Sequence, residues 1–440
     1  MEQVEQVGCV RAAPWRSRCR RLPLIAVVVM LTVVSQHSTV EAVTPRQVDA
    51  VAAGSPQPGD DIEAVDVTAA DAEAAPDEVV GQLQTLLSHH ATLAIRLTRA
   101  TLTGDPGFAE AADNALVRNI NDLRTALAPV IGARRARQLS SQWGSQTHAL
   151  FQYAAGIRDE APDDRRTARR QLRRGIEEQA ALLAQLGGDR VETEEALRTH
   201  VDHQIEQADA FADEDYDRAY ELQRAAFAET FALGRTMASG AVRVPEPTPT
   251  DELRTALAML LGEHVELAVD TMRTGASGAE DFEAAAAALD ANTGALTDAM
   301  DALFGARRAQ EFNEVWADHI DLFVEYTIAV VADDAAAKQS VRDRFDRVVH
   351  RFGMTLETAT DGRIDADGVV KAMGEHERQL VDQIELFADD DLSAAHGLSY
   401  RAYVHIRHVA EDLAAAFAAA ASDDMPLGGS HTGGGGTATW

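Results

Sequence analysis

The chain has 440 residues, 46% hydrophobic and 5% aromatic, which is enough apolar material for two or three domains with sizeable cores. Its 71 acidic against 40 basic residues give a formal net charge of −31, making nucleic-acid phosphate and anionic lipid poor partners and cations better ones. Collagenous, disulfide-rich and polytopic membrane classes are excluded by the same composition.

At the N-terminus, Arg16, Arg18, Arg20 and Arg21 precede an apolar run from Leu22 to Val34, and the small-residue stretch Val40-Glu41-Ala42 follows. The run is about 13 residues, short of the roughly 20 a membrane span needs, so residues 1–42 read as a secretory signal peptide. The expected location is therefore secreted or extracytoplasmic, in the cell envelope, with a membrane contact only through this leader if it is left uncleaved. Both cysteines, Cys9 and Cys19, fall inside it, which leaves the mature chain without disulfides or thiolate ligands. Residues 43–77, rich in Ala, Asp, Glu and Pro, read as a disordered acidic spacer.

Two blocks of helical periodicity follow, residues 78–240 and 250–422, separated by a Pro-rich linker at 241–249. Breaks at Gly104-Asp105-Pro106, Gly132, Ala161-Pro162-Asp163, Gly187-Gly188-Asp189 and Asp213-Glu214-Asp215 divide the first block into six helices. Breaks near Gly278, Gly305, Asp333-Asp334, Gly362 and Asp389-Asp390-Asp391 divide the second likewise. The acidic breaks lack the twelve-residue calcium-loop pattern and read as N-caps of the helices that follow. The arginine run from Arg165 to Arg174 reads as a solvated helix face paired with Asp163, Asp164, Glu177 and Glu178. Residues 423–440 read as a Gly-rich flexible tail.

The blocks align with each other. Leu86 to Ala94 matches Leu260 to Ala268, Trp143 matches Trp316, Tyr153 matches Tyr326, and Ala210 to Tyr216 matches Leu386 to Leu392. The expected fold class is all-α, a tandem duplication of two up-and-down helical bundles, each of three αα-hairpins and six helices. A finer period places His264, His319 and His376 at spacings of 55 and 57, and His90, Gln146 and His200 at 56 and 54. Asn292, with Asn119 in the first block, and His405, with Glu229 in its place, provide further polar positions.

Neighbours three and four residues away share a helix face, and those of His264 are Leu260, Leu261, Leu267 and Ala268. Those of His319 are Val315, Trp316, Leu322 and Phe323, so both rings point into the core. A buried imidazole must be hydrogen-bonded or metal-bound. Two readings stay open on this basis. In one, the core His, Asn and Gln residues, including His90, Asn119, Gln146, His200 and Glu229, form a register-fixing hydrogen-bond network, with His264 bonding Asn292. In the other, His264, His319 and His376 bind copper or zinc in the second block, with His405 or a carboxylate such as Glu263 as fourth ligand. The metal reading requires the imidazole nitrogens within about 4 Å of one another. Open stacking of the hairpins would separate them by roughly 8–10 Å.

No Glu-x-x-His pair, His-Glu-x-x-His, P-loop, Gly-x-Gly-x-x-Gly or Gly-x-Ser-x-Gly occurs, and no residue is assigned a catalytic role. The series Glu263-His264, Leu289 to Asn292, Trp316 to Ile320 with Tyr326-Thr327, His376 and His405 resembles a group of secreted helical repeat proteins of high-GC Gram-positive bacteria, sometimes labelled copper amine oxidase-like. The resemblance implies secretion and a connection with metal. The label itself implies an Asn-Tyr-Asp/Glu quinone site and a His-x-His copper pair on a β-sandwich, and this chain has neither motif.

Overall fold

A computed structural model of the protein describes residues 76–423. The leader, both cysteines, nearly all of the acidic spacer and the tail beyond residue 423 lie outside the described residues. Twelve helices account for the structure, and no strand occurs among the described residues, so the chain is all-α. In chain order they are α1 (Pro76–Thr103), α2 (Pro106–Ile131), α3 (Ala133–Arg158), α4 (Pro162–Ala184), α5 (Arg190–Ala212), α6 (Tyr216–Ala241), α7 (Pro249–Ser277), α8 (Phe282–Phe304), α9 (Ala306–Val331), α10 (Ala335–Ala359), α11 (Ala366–Ala388) and α12 (Leu392–Asp423). No described helix is long and apolar enough to cross a membrane.

Four helices begin on proline, namely Pro76, Pro106, Pro162 and Pro249. Proline is suited to the first helical turn, where its missing N–H has no intrahelical partner to lose. That is why α1 starts inside the expected spacer and α7 starts on the last residue of the expected linker. At the other linker boundary, α6 runs on to Ala241.

The tight turns share one construction. Glu160, Glu214, Asp333, Asp361 and Asp390 each take a positive φ between 49° and 63°, the left-handed conformation that ends a helix. The residue after each closes the turn by donating its N–H five residues back, as in Asp215 to Ala210 (2.9 Å), Asp334 to Ala329 (2.9 Å) and Asp391 to Leu386 (2.9 Å). Asp215, Asp334 and Asp391 then cap the next helix, their carboxylates accepting from Arg218, Ala336 and Ala337, and Ala394 backbone N–H groups. The acidic clusters are thus local helix punctuation, as their sequence suggests. In the arginine run, Arg166 pairs with Asp163 and Arg174 with Glu178, while Arg169 reaches across to Asp209.

The described residues divide into two compact units, 76–244 with 277–290, and 245–276 with 291–423. The division at 244/245 falls in the Pro-rich segment, but the tip of the α7–α8 hairpin groups with the first unit, unlike the contiguous blocks expected from sequence. In the first unit α1 packs against α2 and α6 and also meets α3 and α5, so it is the central helix. It is buried on every face from Leu86 to Thr101. In the second unit α9 packs on α10, α10 on α11, α11 on α12, and α9 also meets α11. Here α7 is buried on every face from Leu261 to Met272.

Each unit also carries a clamp of tyrosine, carboxylate and arginine joining three consecutive helices. Tyr153 of α3 donates to Asp209 of α5 (2.7 Å), and Arg169 of α4 donates to both Tyr153 Oη (2.6 Å) and Asp209 (3.1 Å). Tyr326 of α9 donates to Glu385 of α11 (2.6 Å), which also accepts from Arg342 of α10 (3.2 Å). The tyrosine rings are buried, and the hydroxyls reach the edge of the core where a carboxylate stays solvated.

Asp390, at φ 63°, pays the strain of a non-glycine residue in the left-handed region. Asp390→Gly should raise stability by about 0.5–1 kcal/mol, seen as a higher urea midpoint. Asp391→Ala, which removes the cap of α12, should lower it by about 1 kcal/mol. Equal effects of the two substitutions would contradict this account of the turn.

Candidate metal centre

His264 on α7, His319 on α9 and His376 on α11 come from the first helix of three successive hairpins, and all three belong to the second unit. Their exposures are 0%, 2% and 0%. The ring centroids form a nearly equilateral triangle of 5.8 Å, 5.9 Å and 5.8 Å. One nitrogen from each ring lies within 4.8 Å of the others. That is wider than the 4 Å expected from sequence, yet far inside the 8–10 Å of an open stack. Three imidazoles bound at about 2.0–2.1 Å would place their nitrogens about 3.5 Å apart, so an ion would draw each ring inward by less than about 1 Å.

The hydrogen bonding is unusual for a core. Neither nitrogen of His264 and neither nitrogen of His376 has a hydrogen-bond partner, and His319 Nε2 has none either. The remaining nitrogen, His319 Nδ1, lies 3.0 Å from Glu377 Oε1, itself 4% exposed. A carboxyl group behind one ring nitrogen fixes the orientation of that ring and turns Nε2 toward the other two imidazoles. Burial lowers the pKa of all three histidines, that of His319 to about 3, so the rings are neutral and keep a lone pair at ordinary pH. Burial, with Asp346 nearby, raises Glu377 to about 9. The aromatic surround is close, with Trp316 at 4.6 Å from His264 and Phe323 at 4.8 Å from His319, centroid to centroid.

The other expected ligands lie apart from this cluster. His405 is half-buried, and its Nε2 is 2.9 Å from the backbone carbonyl of Ala372, so it ties α12 to α11. Glu263 accepts from Asn292 Nδ2 at 2.8 Å. Asn292 also donates to the Leu260 carbonyl at 3.0 Å. The expected His264–Asn292 bond is therefore not made: the amide nitrogen goes to Glu263 and the Leu260 carbonyl, and Asn292 Oδ1 has no partner. Glu377 was not singled out from the sequence. Its position next to His376 turns it about 100° around α11, which is what aims it at His319 on the neighbouring helix.

The first unit arranges the aligned positions differently. His90 Nδ1 is 3.1 Å from Asn119 Oδ1, and Asn119 Nδ2 donates to the Leu86 carbonyl at 2.9 Å. His89 stands where the second unit has Glu263, so no carboxylate competes for the asparagine. His200 bonds the backbone of Ala226. Gln146 packs by Gly175 of α4, where an added Cβ would come within 3.1 Å of its Cγ. Glu229 is half-buried, with its carboxylate 3.0 Å from His203 Nδ1. Gln146 Nε2 and His200 Nδ1 have no hydrogen-bond partner, so the bonding at these positions is partial.

His90 and His200 have pKa values lowered by burial from 6.5 to about 3 and about 4. Both are depressed, so the unfolded chain binds protons that the folded chain refuses. Stability is full above pH 6.5 and falls as pH drops toward 4, by about 2 kcal/mol per ring at pH 5. Ring resonances of His90 and His200 should not titrate between pH 8 and 5, and a His90→Gln, His200→Gln chain should show a shallower acid loss of stability. Titration near pH 6.5 in the native protein would contradict the burial.

No family model matches this chain, and comparison with curated proteins and with solved structures finds no match to either.

Proposed function

We propose that this is a secreted or envelope-associated helical-bundle protein that binds one copper or zinc ion through His264, His319 and His376. The observation that carries this reading is the convergence of three fully buried imidazoles with five unpartnered nitrogens between them. An unsatisfied buried polar group costs on the order of 1–3 kcal/mol, and a bound cation replaces that cost with coordinate bonds. The leader, which lies outside the described residues, is the ground for the extracytoplasmic part of the proposal.

The architecture we infer is a tandem duplication of six-helix bundles, supported by the sequence alignment of the two blocks and by the recurrence of the tyrosine clamp. Within it the two halves have diverged in role. The second reading, a register-fixing network, is favoured for the first unit by the His90–Asn119 bond.

Loading with copper or zinc followed by desalting should leave one equivalent of metal per chain by elemental analysis. The His264→Ala, His319→Ala chain should lose it while its helical circular dichroism is kept. Glu377→Leu should weaken metal affinity about 10–100-fold, since it removes the buried carboxyl group that orients His319. Substoichiometric metal in the loaded native protein would end the proposal.

A further inference from the structure

Beyond binding a transition metal, the second unit carries features that choose among ions. An apolar cavity of about 30 Å³ is lined by Leu261, Trp316 and Met373, together with Met300, Phe312 and Phe352. The first three are each three residues before one of the histidines, on α7, α9 and α11 respectively. In a helix that offset is one turn on the same face, so the cavity lies about 4.5 Å along the bundle from the level of the imidazole triangle, and none of the histidines lines it. It is about the size of one water, but a buried water needs two to four polar partners, and the lining side chains are hydrocarbon, aromatic or thioether. The one orphaned polar atom among them, Trp316 Nε1, is a donor and cannot ligate a cation.

The ligand count points the same way. Among the His, Asp and Glu side chains described, none joins the three rings as a fourth donor. His405, Glu263 and Glu377 are each committed to another partner. Divalent zinc in a three-histidine site takes water or substrate as a fourth ligand. Divalent copper prefers a square-planar or tetragonal set of N and O donors. Monovalent copper, a soft d10 ion, is satisfied by three neutral nitrogens in a plane and tolerates a dry, aromatic and thioether-lined neighbourhood.

Resting on the metal-binding reading above, we infer that the centre is a three-coordinate site selective for monovalent copper. The nearly equal ring separations suit a trigonal ion, because bonds of about 2.0–2.1 Å with the ion and its three nitrogens in one plane require centroids about 5.5 Å apart. The observed triangle is only slightly larger. Gln379, one turn beyond His376 on α11, has a buried Oε1 with no partner while its Nε2 donates to Glu375, and a four-coordinate divalent ion would need to recruit an oxygen of this kind.

The test uses the full chain under anaerobic conditions, titrated with Cu(I) against bicinchoninate and separately with Zn(II) against a chromophoric chelator. One equivalent of Cu(I) should bind, at least about a thousandfold more tightly than Zn(II), with three nitrogens at about 2.0 Å by X-ray absorption. Copper should also quench tryptophan fluorescence in the native chain and much less in Trp316→Phe, since that indole is in contact with His264. Gln379→Leu should leave Cu(I) affinity within about twofold. Zinc binding as tight as copper, or a tenfold loss with Gln379→Leu, would overturn the monovalent assignment while leaving the metal centre standing. Failure of every metal to bind would remove both.

Discussion

The structure turns on the burial of imidazole at the centre of a helical bundle. A buried histidine needs a partner for each nitrogen, and the second unit leaves five of the six nitrogens of three rings at one level without one. His264 is placed there by α7, a helix covered on every side from Leu261 to Met272. Because α7 has no solvated face at that level, its polar side chains must meet neighbouring helices, Glu263 toward Asn292 of α8 and His264 toward α9 and α11. The three rings therefore meet, and the arrangement of the surrounding groups follows from that meeting. Glu377 holds one ring from behind, Glu263 draws Asn292 away, and Trp316 and Phe323 close the sides.

The two units show how small a change separates a structural core from a ligand set. At aligned positions, His89 in one and Glu263 in the other decide what the neighbouring asparagine does. Without the carboxylate, Asn119 bonds His90 and the ring is satisfied. With it, Asn292 bonds Glu263 and His264 is left with two unpartnered nitrogens. The remaining difference is Gln146 in the place of His319, which takes away one imidazole outright. A ring bonded to an asparagine and a triangle of unpartnered rings are thus alternative outcomes of one packing geometry.

Much of this was legible in the sequence, and the limits have physical causes. The helices and their acidic turns are written in local chemistry, since glycine, proline and aspartate act within a few residues of where they stand. His264 and His319 could be read as core from apolar neighbours at three and four residues, which needs only the helical repeat, whereas His376, with Gln379 among its neighbours, could be read less clearly. His405 could not be placed the same way. Its neighbours Arg401, Ala402, His408 and Val409 mix polar and apolar character, and its commitment to the Ala372 carbonyl depends on how α12 packs on α11. Glu377 escaped notice because sequence adjacency to His376 hid its real neighbour, 58 residues away. The helix starts at Pro76 and Pro249 were hidden by reading proline as a terminator when it also serves as an opener.

The tyrosine clamp of the second unit bears on time as well as on geometry. Tyr326, Arg342 and Glu385 tie α9, α10 and α11 together, two of which hold histidines of the buried triangle. A group at zero exposure cannot exchange with solvent through the native packing, so an ion reaches or leaves it only when helices part. Parting α9 from α11 breaks the hydrogen bond between Tyr326 and Glu385. Under the proposed metal-binding reading, the residence time of the ion would be set by a conformational opening rather than by ligand-bond strength, its clock kept by a residue that never touches it.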